Sequence, residues 1–420
     1  MAAAIKTAIM QSVEPAVRHA PLATITSKYD DTRKMKALEW HGTKDIRVIE
    51  RPVPKVTDPN DVVIKVTATA ICGSDLHFYL NYTPGMQKGD VVGHEFMGIV
   101  EEVGESVKSV RIGDRIVASF DIGCSSCTYC SNHKLYSSCD NTNDSKKQEA
   151  LYGHRSAGMF GYTHMTGGWD GGQAQYVRIP FADTNTLKVP DALPDKKALF
   201  LSDILPTGWH ATEMGQVGEG QTVAIWGCGP VGMLAAQSAH YKKAGRIILI
   251  DQEDYRLSHA KKHMPYVETI NIKNGTALSQ LQQLVLNGPD CVIEAVGFHY
   301  AKNPLHKAQM LVGLETDPSE ILNEMIMAVR KGGIVSIVGV YVGLTNGFNI
   351  GAFMEKGLRM AGGQTPVQRY WPTLLPLVEK GELDPSFVLT HEVPIDDGPK
   401  MYKVFNEKQD NCVKVILRPN

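Results

Sequence analysis

The stretch Gly227-Cys228-Gly229-Pro230-Val231-Gly232 constrains this chain more than any other. It stands between an apolar run, Thr222 to Trp226, and a helical pattern from Pro230 to Ala244, so it must turn a buried strand directly into a helix. The first glycine permits the tight turn, the second lets the backbone approach a bound group, and the third lets helix and strand pack closely. The N-terminus of such a helix favours phosphate. The same grammar continues, with strands expected at 246–250, 268–272, 291–295, 334–340 and 358–361 and helices at 255–263, 277–286 and 320–330. Strands alternating with helices predict an α/β fold, a doubly wound parallel sheet covered on both faces.

Asp251 ends the second of these strands, close to the distance beyond the glycines at which a dinucleotide site places an acid. A carboxylate there accepts hydrogen bonds from the adenosine ribose hydroxyls and repels a 2′-phosphate, so NAD is favoured over NADP. Arg256 is the residue that would serve a 2′-phosphate instead.

The chain before this region has a different texture. Short β-type runs at 46–49, 62–68, 98–103, 114–118 and 175–179 are separated by turn residues, which predicts a small, irregular, mostly-β domain. Residues 141–172 are polar and Gly-rich and are expected to form a long ordered loop near a site, since long connections without elements of their own are usually functional. Residues 1–34 lack a sustained period and read as a flexible leader, with an organelle transit peptide as the alternative because acids are few. From Gln364 the chain returns to irregular structure, and a final strand at 412–417 is expected to rejoin the first domain. The expected division is thus leader 1–34, catalytic domain 35–203 completed by 364–420, and nucleotide domain 204–363. A chain of 420 residues is too long for one ordinary core. Its formal net charge of -2 offers no electrostatic footprint for nucleic acid or an anionic membrane. With no secretory leader or spanning run, a cytoplasmic location is expected, or a mitochondrial one if 1–34 is a transit peptide.

Two clusters carry metal chemistry. Cys124, Cys127, Cys130 and Cys139, four of the eight cysteines, supply four thiolates, the full tetrahedral set of a closed structural zinc site. The second cluster is Ile71-Cys72-Gly73-Ser74-Asp75-Leu76-His77 followed by Gly93-His94-Glu95. Cys72 and His94 are a soft thiolate and an imidazole, and Asp75 can accept the other ring N–H of His94 and fix its tautomer. A catalytic zinc needs a third protein ligand and an open position. The residue pattern leaves that ligand open between Glu95 and Asp203.

These residues together resemble the zinc-dependent medium-chain dehydrogenases, the alcohol dehydrogenase superfamily. The likeness runs from about Met35 to the C-terminus and is most specific at Gly93-His94-Glu95 and the following Gly98-Ile99-Val100-Glu101-Glu102-Val103-Gly104. It implies a GroES-like catalytic domain beside a Rossmann domain. Leu201-Ser202-Asp203-Ile204-Leu205-Pro206-Thr207-Gly208, Gly171-Gly172-Gln173-Ala174-Gln175-Tyr176-Val177 and Gly363-Gln364-Thr365-Pro366-Val367 are similar to the glutathione-independent formaldehyde dehydrogenase and dismutase branch. In that branch an aspartate is the third zinc ligand, which here implies Asp203 and returns Glu95 to the layer behind the metal or to transient ligation. The resemblance also sets Thr207 beside the nicotinamide and turns Lys414 toward the pyrophosphate. The segment 298–319 is shorter than its counterpart in that branch, where it helps bury the cofactor.

What this set implies is oxidation of a small alcohol or hydrated aldehyde by NAD at a catalytic zinc. Ser74 takes the proton from the substrate hydroxyl and His77 delivers it to solvent, because histidine titrates near neutral pH. A gem-diol carries the same C–H and O–H as an alcohol, so either fits. A larger alcohol, polyol or pathway intermediate is the variant within this class. A zinc-stabilised NAD-binding sensor or scaffold is the reading from another class, and the intact Ser74 and His77 oppose it. A homo-oligomer, tetramer or dimer, is expected from the resemblance.

Overall fold

The computed structural model describes residues 23–297 and 317–419 and divides the chain into two units, one ending at Asp203 and resuming at Pro366, the other Ile204–Thr365. The segment 298–319, expected to be short, lies outside the described residues except at its end.

The first unit is built on a mixed sheet with the strand order His391–Pro394, Val415–Arg418, Val62–Ile71, Glu95–Val103, Arg115–Ala118 and Thr186–Lys188, and Tyr176–Ile179 pairs with Val62–Ile71 as well. The alternating apolar residues Val62, Ile64, Val66, Phe96, Val100, Ile116 and Ala118 form its core with Phe160 and Trp169. Val415–Arg418 runs antiparallel to Val62–Ile71 with Val415 opposite Ile71, so the end of the chain lies beside the strand that leads into Cys72. A long hairpin, Lys28–Gly42 with Asp45–Lys55, packs its own small core of Met35, Ala37, Val53, Val91 and Ala174.

That hairpin corrects the expected leader. Its first strand begins at Lys28, inside the stretch 1–34, and Ala23 and Ile25 already pack on the main core. The residues before the hairpin are tied down by Arg178, a buried guanidinium that pairs with Asp61 at 2.8 Å, donates from Nη2 to the carbonyls of Thr24 and Ile25, and from Nε to Ser27 Oγ. Residues 1–22, and with them the transit-peptide alternative, lie outside the described residues.

Residues 141–172 are ordered by their own polar side chains. Asn143 Nδ2 donates to Gln148 Oε1, Ser156 O and Met165 O, and Ser145 caps a helix at Lys146–Tyr152 that periodicity does not reveal.

The second unit is a six-stranded parallel sheet ordered Glu268–Asn271, Arg246–Asp251, Thr222–Trp226, Cys291–Glu294, Ile334–Ile337 and Arg359–Gly362. Numbered along this unit the order is 3-2-1-4-5-6, the doubly wound arrangement whose crevice opens beyond the carboxyl ends of the first and fourth strands. Strand interiors such as Ala224, Ile248, Ile250 and Val292 are buried, as both-face coverage by helices requires. Among the described residues, no helix is long and apolar enough to cross a membrane.

Candidate metal centres and nucleotide turn

The strand Val62–Ile71 delivers Cys72 to the end of the sheet, and the short helix Asp75–Tyr79 starts at once behind it. Asp75, fully buried, folds back so that its Oδ2 accepts the Cys72 amide at 2.9 Å. Its Oδ1 lies 2.9 Å from His94 Nδ1, and among the described residues neither atom has another partner. His94 Nε2 thereby faces the other way, 3.3 Å from Asp203 Oδ2 and 3.1 Å from Ser74 Oγ. Cys72 Sγ lies 3.7 Å from the same Asp203 oxygen. The ligand atoms of Cys72, His94, Glu95 and Asp203 all fall within 4.8 Å of one another, every one of them buried.

These separations fit a tetrahedral zinc. With Zn–N and Zn–O near 2.0 Å and Zn–S near 2.3 Å, the N···O edge of a tetrahedron is about 3.3 Å and the S···O edge about 3.5 Å. A thiolate and a carboxylate would offset the ion's two positive charges, and imidazole adds none.

Glu95 and Lys414 sit behind this cluster, both fully buried, with Lys414 Nζ 2.5 Å from Glu95 Oε1. Lys414, expected at the pyrophosphate, is therefore a buried counter-charge to Glu95; strand pairing of Val415 with Ile71 carries it there. Among the described residues, Glu95 Oε2 has no hydrogen-bond partner. Burial pushes the Glu95 carboxyl above its ordinary range, with Lys414 opposing.

Ser74 lies on the ligand side of His94, and the ring of Tyr162 stands edge-on to His94 at 6.0 Å. His77 departs from expectation in its chemistry. It is half-buried on the helix Asp75–Tyr79, and desolvation lowers it to about 4 despite the nearby Asp75. An imidazole in such a place stays neutral near pH 7, so it can pass a proton only by holding it briefly.

The second cluster lies in the turns around Tyr129–His133 and Tyr136–Ser138, where the Sγ atoms of Cys124, Cys127, Cys130 and Cys139 come within 4.8 Å of one another. Cys127 Sγ and Cys139 Sγ are 4.0 Å apart, near the roughly 3.8 Å edge of a tetrahedron with 2.3 Å Zn–S bonds. Backbone and side-chain amides point at sulfur: Cys127 N and Asn141 Nδ2 at Cys124 Sγ, 3.3 and 3.2 Å away, and Asn141 N at Cys139 Sγ, 3.4 Å away. Hydrogen bonds from Cys130 and Cys139 pull Cys124 down, and one from Cys139 holds Cys127 at about 6, while the proton-sharing Cys130 and Cys139 are pushed up.

In the second unit the glycine turn joins Thr222–Trp226 to the helix Pro230–Tyr241, with Gly229 as N-cap and Pro230 at its first position. A Cβ on Gly232 would collide with the Gly227 carbonyl, which is why helix and turn pack this closely only with glycine there. Val231 follows Pro230 in the first turn. Asp251 Oδ2 accepts the Cys228 amide at 2.7 Å, and Oδ1 accepts those of Gln252 and Glu253 at 2.7 and 2.9 Å. The Arg256 guanidinium borders Gly229 and bonds Tyr255 OH at 3.1 Å. Thr207 is buried in the first turns of the helix Ile204–Met214.

Sequence reasoning passed over Gln173, Tyr402 and Asp121. Gln173 stood inside a quoted motif without a role, and no local pattern marks Tyr402. Asp121 is buried, neither carboxyl oxygen has a hydrogen-bond partner among the described residues, and burial raises its proton affinity well above the carboxylate range.

A doubly wound sheet with a glycine turn, a four-cysteine lobe and a buried Cys–His–Asp cluster define a zinc-binding dehydrogenase. The chain belongs to the zinc-dependent medium-chain alcohol dehydrogenase family: residues 58–191 match the alcohol dehydrogenase GroES-like domain and residues 230–380 the zinc-binding dehydrogenase domain. It is 41% identical to a zinc-type alcohol dehydrogenase-like protein of Schizosaccharomyces pombe, over 91% of this chain and 90% of that one. It is 34% identical to the glutathione-independent formaldehyde dehydrogenase of Pseudomonas aeruginosa, over 88% of this chain and 94% of that one. Among solved structures, an alcohol dehydrogenase of Thermus sp. ATN1 superposes with a TM-score of 0.76 at 31% identity, over 91% and 99% of the two chains.

Proposed function

We propose that this protein is an NAD-dependent dehydrogenase of small alcohols and hydrated aldehydes, formaldehyde hydrate included. The observation that carries it is the convergence of Cys72 Sγ, His94 Nε2 and Asp203 Oδ2 at tetrahedral spacing, with Ser74 Oγ on the same side. Those three residues would hold one zinc, and Cys124, Cys127, Cys130 and Cys139 a second that only shapes its lobe. Bound at the first site, zinc would supply Lewis acidity toward the substrate hydroxyl, and NAD held at the glycine turn would supply the hydride acceptor.

The chain's own residues do the rest. Asp75 holds His94 in the tautomer that presents Nε2. Ser74 Oγ receives the substrate proton, and His77 passes it outward as a neutral, weakly basic imidazole. Glu95 and Lys414 cancel each other's charge behind the ligands, so the site as a whole stays near neutral. Asp251 presents a carboxylate where the adenosine ribose would bind, which supports NAD over NADP. Kinship with a glutathione-independent formaldehyde dehydrogenase supports the small-aldehyde part of the reading.

The test is reduced-cofactor formation from NAD and from NADP with formaldehyde, short and long primary alcohols, secondary alcohols and polyols, with and without glutathione. Turnover of formaldehyde or short alcohols with NAD and no glutathione is expected. Turnover confined to polyols or large alcohols would reassign the substrate class, and no turnover with any of them would favour a sensor or scaffold.

A further inference from the structure

Behind the Cys72–His94–Asp203 cluster runs a continuous hydrogen-bonded chain of buried side chains. Tyr402 OH donates to Gln173 Oε1 at 2.9 Å. Gln173 Nε2 donates to Ala70 O at 3.0 Å and to Asp75 Oδ2 at 3.4 Å. Asp75 in turn sits against His94 Nδ1. Asp75, Gln173 and Tyr402 are all fully inaccessible to solvent.

The chain has a direction. Ala70 O and the Asp75 carboxylate can only accept, so Gln173 must turn its amide to them and its carbonyl to the phenol, which then donates. With the Cys72 amide also on Oδ2, both donors fall on one oxygen and leave Oδ1 for the imidazole. Gln173 is itself fixed at the backbone, its N–H bonded to Val92 O at 3.0 Å and its C=O accepting Leu38 N at 2.8 Å. Its side chain lies across Gly93, where any Cβ would strike it; Gly93 also has φ +96°, so the residue before His94 is glycine for two reasons.

We propose that Gln173 and Tyr402 are positioning residues that aim Asp75, and through it the His94 ring, at the metal, and so set how tightly the first zinc site holds its ion. This rests on the reading of Cys72, His94 and Asp203 as zinc ligands. Ring orientation and ligand basicity are governed by what the second imidazole nitrogen meets, and disturbing such partners typically costs about 10–100-fold in metal affinity or activity. Here the partner is an aspartate whose own orientation is set one layer further out.

Gln173→Met keeps length and volume and removes every side-chain hydrogen bond; Tyr402→Phe removes only the outermost. The measurements are zinc release from the holoenzyme to a chromophoric chelator, with the four-cysteine zinc as internal control, and the visible d–d spectrum of cobalt-substituted enzyme. Gln173→Met is expected to speed release of one zinc about 10–100-fold and to shift the cobalt bands, Tyr402→Phe to act in the same direction more weakly, and the slow zinc to stay unchanged in both. Wild-type release and spectrum in both variants would overturn the proposal, and if Gln173→Met does not fold, Tyr402→Phe alone decides it. Zinc content untouched by Cys72→Ser would instead overturn the ligand assignment itself, and the proposal with it.

Discussion

The Glu95–Lys414 pair allows a quantitative test of how this site is held together. Both side chains are fully buried, and their charged atoms are 2.5 Å apart. Lys414→Met leaves a carboxylate in the interior without its ion-pair partner and, among the described residues, with no hydrogen bond to Oε2. Removing one member of a buried pair costs about 3–5 kcal/mol, whereas replacing both by apolar groups of similar volume is often close to neutral. Urea unfolding of the zinc-loaded protein should therefore show Lys414→Met about 3–5 kcal/mol less stable at mildly alkaline pH, and the double variant Glu95→Met/Lys414→Met within about 1 kcal/mol of wild type. The pH dependence has a definite sign. Burial raises the Glu95 carboxyl, so the folded single variant takes up a proton before the unfolded chain does. Its deficit is full at high pH and narrows as pH falls toward the ordinary carboxylate range. A single variant within 1 kcal/mol of wild type, or a double variant as costly as the sum of the singles, would refute the argument that these two charges exist in the interior only because of each other.

Cys72→Ser should lose about one zinc per chain by metal analysis while the four-cysteine zinc and the fold persist; full zinc content would remove Cys72 from the ligands. Asp251→Gly should move the ratio of kcat/KM toward NADP, because it deletes a carboxylate and frees the amides of Cys228, Gln252 and Glu253 next to Arg256; an unchanged preference would mean that this carboxylate is not the discriminator. Ser74→Ala should slow hydride transfer in a single turnover by about 10²-fold or more with zinc retained, and a normal rate would take Ser74 off the proton path. Glu294, buried at the end of its strand, accepts the amides of Val296 and Gly297, and burial pushes it to about 7. Against an ordinary value of about 4.3 this raised carboxyl costs the fold roughly 3–4 kcal/mol above neutrality and nothing below pH 4, so Glu294→Gln should flatten the stability loss between those limits; an unchanged slope would refute it.

What could be read directly from the chain was what repeats or lies close in sequence. The second unit was legible because each strand is a short apolar run and each helix a periodic one, and its strands at 222–226, 246–251, 268–271 and 291–294 fall where the runs do. The four cysteines were legible because one loop carries them all. Other features were not. The strand Lys28–Gly42 is rich in charge and shows no clean alternation; it is held by its antiparallel ladder with Asp45–Lys55, and the residues just before it by a buried arginine supplied from Tyr176–Ile179. The neutral-range behaviour expected of His77 follows from residue type alone, and the desolvation that lowers it is a property of packing.

The active cluster itself divides along the same line. Cys72, Ser74, Asp75 and His77 lie within one turn of chain, and His94 and Glu95 follow at the start of the next strand, so their chemistry can be recognised from residue type and spacing. The groups that fix the charge and orientation of that chemistry are remote: Lys414 is 319 positions from Glu95, Tyr402 is 229 from Gln173, and Gln173 is 98 from Asp75. A lysine, a tyrosine and a glutamine in ordinary surroundings carry no mark of such a role. Lys414 and Tyr402 acquire it because the last strand pairs with Val62–Ile71 and brings the C-terminal segment to the back of the ligand shell, and Gln173 because its backbone is bonded between Leu38 and Val92. The returning C-terminus thus supplies no ligand to the proposed zinc, yet it holds the two side chains, Lys414 and Tyr402, on which the protonation of Glu95 and the aim of Asp75 depend.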